Sequence, residues 1–114
     1  MSIILIKHLP TSLELTQLTS VFSDYIKLVA DIEKNILYGG CQLHSDAEQI
    51  LLENGSKQEN IWGGGVNLKL KKIEITAIAN IRARLNPAPE ILDPNIRQKF
   101  ITIVKQFFPQ YKYG

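Results

Sequence analysis

The chain has 114 residues, 45% of them hydrophobic and 21% charged, which is the size and composition of a single globular domain and not of a disordered, fibrous or membrane-spanning chain. At this length folding buries roughly 65% of the surface that the unfolded chain exposes, enough for a genuine core. The net charge of +2 conceals an acid-rich part, −4 over residues 1–66, and a base-rich part, +6 over residues 67–114, so the chain is dipolar, but its basic residues are not interleaved with aromatics as nucleic-acid binding would ask.

At the start of the chain, Ile3-Ile4-Leu5-Ile6 gives only four consecutive apolar residues. That is too few for a signal-peptide core or a membrane span, and the stretch reads as the first strand of a cytoplasmic protein. Helix starts are then written three times as Ser/Thr-x-x-Glu, at Thr11/Glu14, Ser45/Glu48 and Ser56/Glu59. In this pattern the hydroxyl and the carboxylate satisfy each other's orphan backbone N–H groups. Leu15, Leu18, Val21 and Phe22 recur at helical spacing and predict a first helix over about 12–23. Asn54-Gly55 supplies a left-handed stop for the second helix, and the Ser56 pattern supports only a short turn. Asp93 followed by Pro94 opens the last helix, whose stripe Ile96, Phe100, Ile103, Val104, Phe107 ends before Pro109. The tail 110–114 is expected to be loose.

Between the helices the chain alternates with period two. In Ile26–Glu33 the even positions are apolar, and a two-residue turn at Lys34-Asn35 would pair Ile32 with Leu37 and set Asp31 opposite Tyr38. In Val66–Arg84 a turn at Lys71-Lys72 would pair Leu70 with Ile73 and leave Asn80, Arg82 and Arg84 on the opposite face. The order β-α-β-β-α-β-β-α predicts one α+β domain over 1–114. Its sheet would be antiparallel or mixed, with about five strands and with helices packed on one face. The uncovered polar face would gather Asp31 and Glu33 with Asn80 and Arg82, with His44 and Asn86 nearby.

The chemistry of these residues allows more than one use. Arginine grips carboxylate or phosphate through its planar fork, so Arg82, oriented by Asn80 and Asn86, suits a small anion, with Asp31 and Glu33 fixing the arginine or a cation. Asp31 and Glu33, two apart on one strand, also have the geometry of a Mg²⁺ pair, although Asn35 stands where metal nucleases usually carry a lysine. His44 is either the residue flanking a helix cap or a proton shuttle. Trp62-Gly63-Gly64-Gly65 lacks the lysine of a phosphate-binding loop and reads as a tryptophan packed under a flexible turn. Cys41 is the only cysteine, which excludes an internal disulfide and a cysteine zinc cluster and fits a reducing compartment.

Asp31-Ile32-Glu33, Gly39-Gly40, His44-Ser45-Asp46-Ala47-Glu48, Gly55-Ser56, Trp62-Gly63-Gly64, Asn80-Ile81-Arg82 and Glu90-Ile91-Leu92-Asp93-Pro94-Asn95-Ile96-Arg97 form an ordered set of motifs across about residues 25–105. The set resembles an uncharacterised family of small prokaryotic proteins of cyanobacterial type, a domain of unknown function. The resemblance implies a stand-alone cytosolic domain and carries no activity, cofactor or catalytic residue. Three readings therefore stand open: a binding module for a small anionic ligand or a protein partner, a metal-assisted phosphate-ester hydrolase using Asp31, Glu33 and His44, and a homo-oligomeric interaction protein. Neither a cofactor nor a dedicated metal site is specified, nucleic acid is disfavoured, and no membrane attachment is expected.

Overall fold

A computed structural model describes residues 3–111 and 113. Five strands, β1 (Ile4–Ile6), β2 (Tyr25–Asp31), β3 (Ile36–Gly39), β4 (Ile61–Asn67) and β5 (Lys72–Glu74), form one antiparallel sheet in the order β1-β3-β2-β4-β5. The helices are α1 (Ser12–Thr19), α2 (His44–Glu53) and α3 (Pro94–Phe107). The fold is α+β, as the alternation and the capping signals predict. Among the described residues no helix is long and apolar enough to cross a membrane.

The local signals hold where one residue can satisfy its own backbone. Thr11 and Glu14 form the capping box, with the Thr11 N–H donating to Glu14 (2.9 Å) and the Glu14 N–H to Thr11 Oγ1 (3.2 Å). The helix ends at Thr19, short of the expected residue 23, because the hydroxyls of Thr16, Thr19 and Ser20 donate back to the carbonyls of Ser12, Leu15 and Gln17 and compete with the helical ladder. Asp93 caps α3 by accepting from the N–H groups of Asn95 and Ile96, with Pro94 in the first turn. At the end of α2, Gly55 adopts φ +92°, its N–H donates to Leu52, and the next N–H, of Ser56, donates to Leu51. That pair of bonds is the left-handed helix stop expected of Asn54-Gly55.

Two of the three expected capping boxes do not form. α2 begins two residues earlier than a Ser45 cap would set it, at His44, flanked by Leu43 with no side-chain cap, so Ser45 already lies inside the first turn. Ser56 is buried, and its hydroxyl donates to Asp31 Oδ2 (2.6 Å) instead of to a helix start.

Both hairpins close through four-residue loops, not the two-residue turns predicted at Lys34-Asn35 and Lys71-Lys72. Asp31 pairs with Ile36, and Asn67 with Lys72. The last residue of each loop takes a left-handed conformation, Asn35 at φ 58° and Lys71 at φ 54°. The residue before each loop turns its side chain inward: Asp31 Oδ1 accepts from the N–H groups of Glu33 and Lys34, and Asn67 Oδ1 from that of Leu70. Pairing therefore slips, Leu37 facing Ala30 and not Ile32, and Tyr38 facing Val29 and not Asp31. The slips are by even numbers of residues, so the side chains within the paired strands keep their expected faces, whereas Cys41, just past β3, turns to the other face.

The helices divide between the faces. α1 and α3 cover Ile26, Leu28, Ala30, Leu37, Trp62 and Val66 with Leu18, Phe100, Ile103, Val104 and Phe107. α2 lies on the other face, where Ala47 and Leu51 cover Val29, Ile61 and Cys41, which corrects the expectation of helices on one face only. The physical reason is that Val29 and Ile61, at the odd positions of the two most central strands, leave a second apolar patch to be buried. Tyr111 and Tyr113 also pack against the main core, and the Tyr113 hydroxyl donates to the Phe108 carbonyl (2.6 Å), so these two residues of the expected loose tail are held.

Candidate functional site

The six candidate residues fall into two separate groups. Asp31, 1% exposed, sits at the end of β2 on the face that α2 covers, and its oxygens are spent on the hairpin backbone and Ser56. Glu33 is exposed in the loop beyond it, in a shallow hollow with Lys34, Lys57 and Glu59. Among the described residues no group of three or more His, Cys, Asp or Glu side chains is placed to hold a metal ion.

His44, Asn80, Arg82 and Asn86 gather elsewhere, along the outer edge of β4. β5 covers that edge only from Gly65 to Asn67. The expected long fifth strand stops at Glu74, and the chain continues as an irregular segment with a short 3₁₀ turn at Ile78–Asn80 and isolated bridges pairing Thr76 with Glu90 and Arg82 with Asn86. Asn80, Arg82 and Arg84 therefore do not share a strand face with Asp31 and Glu33.

Asn80 and Asn86 are buried, and their amides substitute for missing peptide groups. Asn80 Oδ1 accepts from the Gly63 N–H (2.7 Å) while its Nδ2 donates to the Gly63 carbonyl (2.8 Å) and to that of Pro89 (3.0 Å). Asn86 Nδ2 donates to the carbonyls of Asn80, Ala88 and Glu90, and its Oδ1 accepts from the Leu92 N–H. Nearly the full hydrogen-bonding capacity of both amides goes into the backbone of this segment. They lock the segment and leave little with which to orient a ligand.

Arg82 completes the cover of the edge. Its Nη2 donates to the Ile61 carbonyl, and its guanidinium lies 4.1 Å from the centre of the Trp62 ring. Among the described residues Nε and Nη1, both out of water, meet no partner, and neither does Oε2 of Glu48 on α2. Burial lowers the Arg82 pKa from its ordinary value, and the nearby Glu48 carboxylate opposes that shift.

Gly63 on the α2 side and Gly64 on the α3 side admit what no other residue would. A Cβ on Gly63 would stand 3.1 Å from the His44 ring and 2.9 Å from Ala77, and one on Gly64 would stand 2.9 Å from the Phe100 ring. The glycine run is thus the middle of a paired strand pressed from both faces, not the flexible turn that the sequence suggests. His44 uses the approach: its Nε2 lies 2.8 Å from the Gly64 carbonyl and, facing an acceptor, carries the proton. Burial lowers the His44 pKa, the Gly64 carbonyl partly offsets this, and Lys27 adds to the lowering, so the ring is neutral at pH 7. Burial likewise pushes the Cys41 thiol up to about 11, which makes it an unreactive core residue.

Beside His44 a cleft of about 310 Å³ is lined by Lys27, Leu43, His44, Ser45, Ile78 and Ala79. Lys27 Nζ donates to the Gln42 carbonyl (2.6 Å) and stands 5.1 Å from the centre of the Phe22 ring. The rim is apolar and open: Ile78 is 81% exposed and Leu43 58%, and Ile81 and Leu85, further along the segment, are exposed as well.

A family model described as a protein of unknown function, DUF5674, matches residues 4–107. The chain belongs to the DUF5674 family. The match runs from the first strand to the last residue of α3, so the DUF5674 domain includes β1 and α1, which the motif resemblance over residues 25–105 left out. No curated protein and no solved structure matches the chain.

Reading by residue type selected the polar members of this region and passed over the apolar ones. Leu43 and Ile78 carry the accessible surface, and the signal available for them was weak: two large aliphatic residues beside a histidine and in a segment rich in Asn, Pro and Arg. Glu48 was legible only as a first-turn carboxylate, because its approach to Arg82 depends on how α2 lies across β4.

Proposed function

We propose that this DUF5674 domain is a binding module that docks another protein chain on the surface formed by the start of α2 and the 78–85 segment. The observation that carries the reading is the contrast within that segment. Its backbone is tied down by two buried asparagines, yet its side chain Ile78 is 81% exposed beside Leu43. Long ordered segments without regular structure are usually functional, and an apolar side chain held rigidly in water contributes nothing to the fold but offers a pre-organised contact. A small anion is less well served, since the polar groups expected to orient it are spent on backbone and the cleft is rimmed by aliphatic side chains.

Panning a displayed peptide library on the wild-type domain and on Ile78→Glu tests the reading. Peptides with apolar anchors that bind wild type and lose at least about tenfold in affinity for Ile78→Glu are the expected result, tenfold being about 1.4 kcal/mol of contact. Peptides that bind both proteins equally, or a thermal shift with a small phosphate or carboxylate that Ile78→Glu leaves unchanged, would overturn it.

A further inference from the structure

The two ends of the sheet are protected unequally. At one end β5 carries Lys72 and Glu74, and the part of β4 that β5 leaves open is covered by the side chains of Asn80 and Arg82. Charged residues and covering segments are the devices by which sheets avoid pairing with other chains. At the other end β1 is bare. It is Ile4-Leu5-Ile6, preceded by Ile3, with β3 on one side and, among the described residues, no strand on the other. Among the described residues it contains no charge, proline or bulge until Lys7.

The face beside that edge is also open. α2 covers Val29 and Ile61 in the middle of the sheet, whereas Leu5, at the edge and paired with Tyr38, is 36% exposed. We propose that the outer edge of β1 pairs antiparallel with the β1 edge of a second copy, joining two five-stranded sheets about a twofold axis. The second copy is the occupant that the sequence of the strand fits. With the axis at Leu5, each Leu5 faces its equivalent and Ile4 faces Ile6, so all central pairs are apolar. Lys7 then faces Ile3, and no like charges oppose. The pairing extends the main core, to which Ile4 and Ile6 already belong, and covers the exposed part of Leu5. It does not use the surface around Ile78, so the two proposals stand or fall separately.

Sedimentation velocity over a range from low micromolar to near-millimolar protein is expected to show a concentration-dependent monomer–dimer equilibrium. Leu5→Lys, which places a guarding charge on the edge, is expected to raise the dissociation constant about tenfold or more. Leu5→Cys is expected to give an intermolecular disulfide under mild oxidation, since residues facing across an antiparallel pair have Cβ atoms roughly 4.5–5.5 Å apart. Leu70→Cys, 61% exposed in the β4–β5 loop, is the control and is expected to stay monomeric, and the buried Cys41 does not interfere. A protein that is monomeric throughout would overturn the proposal. A dimer that forms no disulfide through Cys at position 5, or that cross-links as readily through position 70, would overturn it too, even where Leu5→Lys fails to fold.

Discussion

The outer edge of β4 is finished in two ways along its length. From Gly65 to Asn67 it pairs with β5, a strand whose backbone supplies the hydrogen bonds. At Gly63 and Ile61 the same kind of backbone group is met by side chains, the Asn80 amide and the Arg82 guanidinium. A backbone partner places few demands on sequence, because every residue but proline brings the same N–H and C=O. A side-chain partner concentrates the demand in one residue, and only an amide presents a donor and an acceptor with peptide spacing. The first region should therefore tolerate substitution and the second should not.

Asn80→Ala breaks that comparison open and carries the largest expected effect. It leaves the Gly63 N–H and carbonyl, on a buried stretch of β4, without their Asn80 partner, while the Pro89 carbonyl keeps the Ala77 N–H. Each orphaned buried group costs about 1–3 kcal/mol, so a loss of about 4 kcal/mol is expected, measured by urea denaturation. Lys72→Ala, on exposed β5, should stay within about 0.5 kcal/mol of wild type. Equal losses at the two positions would mean that the side-chain cover is not what holds this edge.

A second comparison separates two kinds of glycine. Gly64 is required for room: a methyl group there would meet the Phe100 ring at 2.9 Å and also the Glu74 carbonyl. Gly55 is required for its left-handed backbone at φ +92°, where a Cβ would meet nothing closer than Lys34 Nζ at 3.8 Å. Gly64→Ala is expected to cost about 3 kcal/mol through overpacking. Gly55→Ala should cost only about 1 kcal/mol, through backbone strain. Thermal melts of the two variants check the order. A Gly64→Ala protein as stable as wild type would show that both β5 and α3 can shift away from β4 without loss.

These cases also show which parts of the fold were legible in the sequence. Asp93-Pro94, Thr11 with Glu14, and Asn54-Gly55 act on backbone groups within a few residues of themselves, so the pattern and the structure coincide. The faces of β2 and β3 were legible because alternation survives any even slip of register. Ser56 was misread because its partner, Asp31, lies twenty-five residues away and no local pattern announces it. The 73–84 segment reads as a strand because Ile73, Ile75 and Ala77 alternate with polar residues and Asn80 and Arg82 continue the rhythm. Its true organisation depends on two amides finding carbonyls that the fold brings to them. Of the candidate site, His44 and Arg82 were brought together with Asn80 and Asn86 along one edge, whereas Asp31 and Glu33 belong to the far end of a hairpin. The separation follows from the early end of β5, which no residue in the strand itself dictates.

The smallest expected effect concerns His44, an ionisable side chain of α2 that reaches the glycine strand. Its ring is pressed against Gly63, and its Nε2–H donates to the Gly64 carbonyl. Burial is the main reason that its folded pKa lies below the ordinary value of 6.5, with Lys27 adding to it. In the unfolded chain the imidazole takes its proton first, so as pH falls through 6.5 the unfolded state binds more protons than the folded state. The stability associated with His44 is thus fully present above pH 6.5 and is lost progressively below it. Thermal midpoints measured from pH 7.5 down to 5.5 should fall in the wild type and fall less steeply in His44→Gln, which keeps a neutral donor without the titration. The fixed cost of that substitution, read at pH 7.5, should be about 1 kcal/mol, the worth of one hydrogen bond and some packing. Parallel profiles for the two proteins would mean that the imidazolium is accommodated, and that the cleft beside Leu43 and Ile78 admits more water than its aliphatic rim suggests.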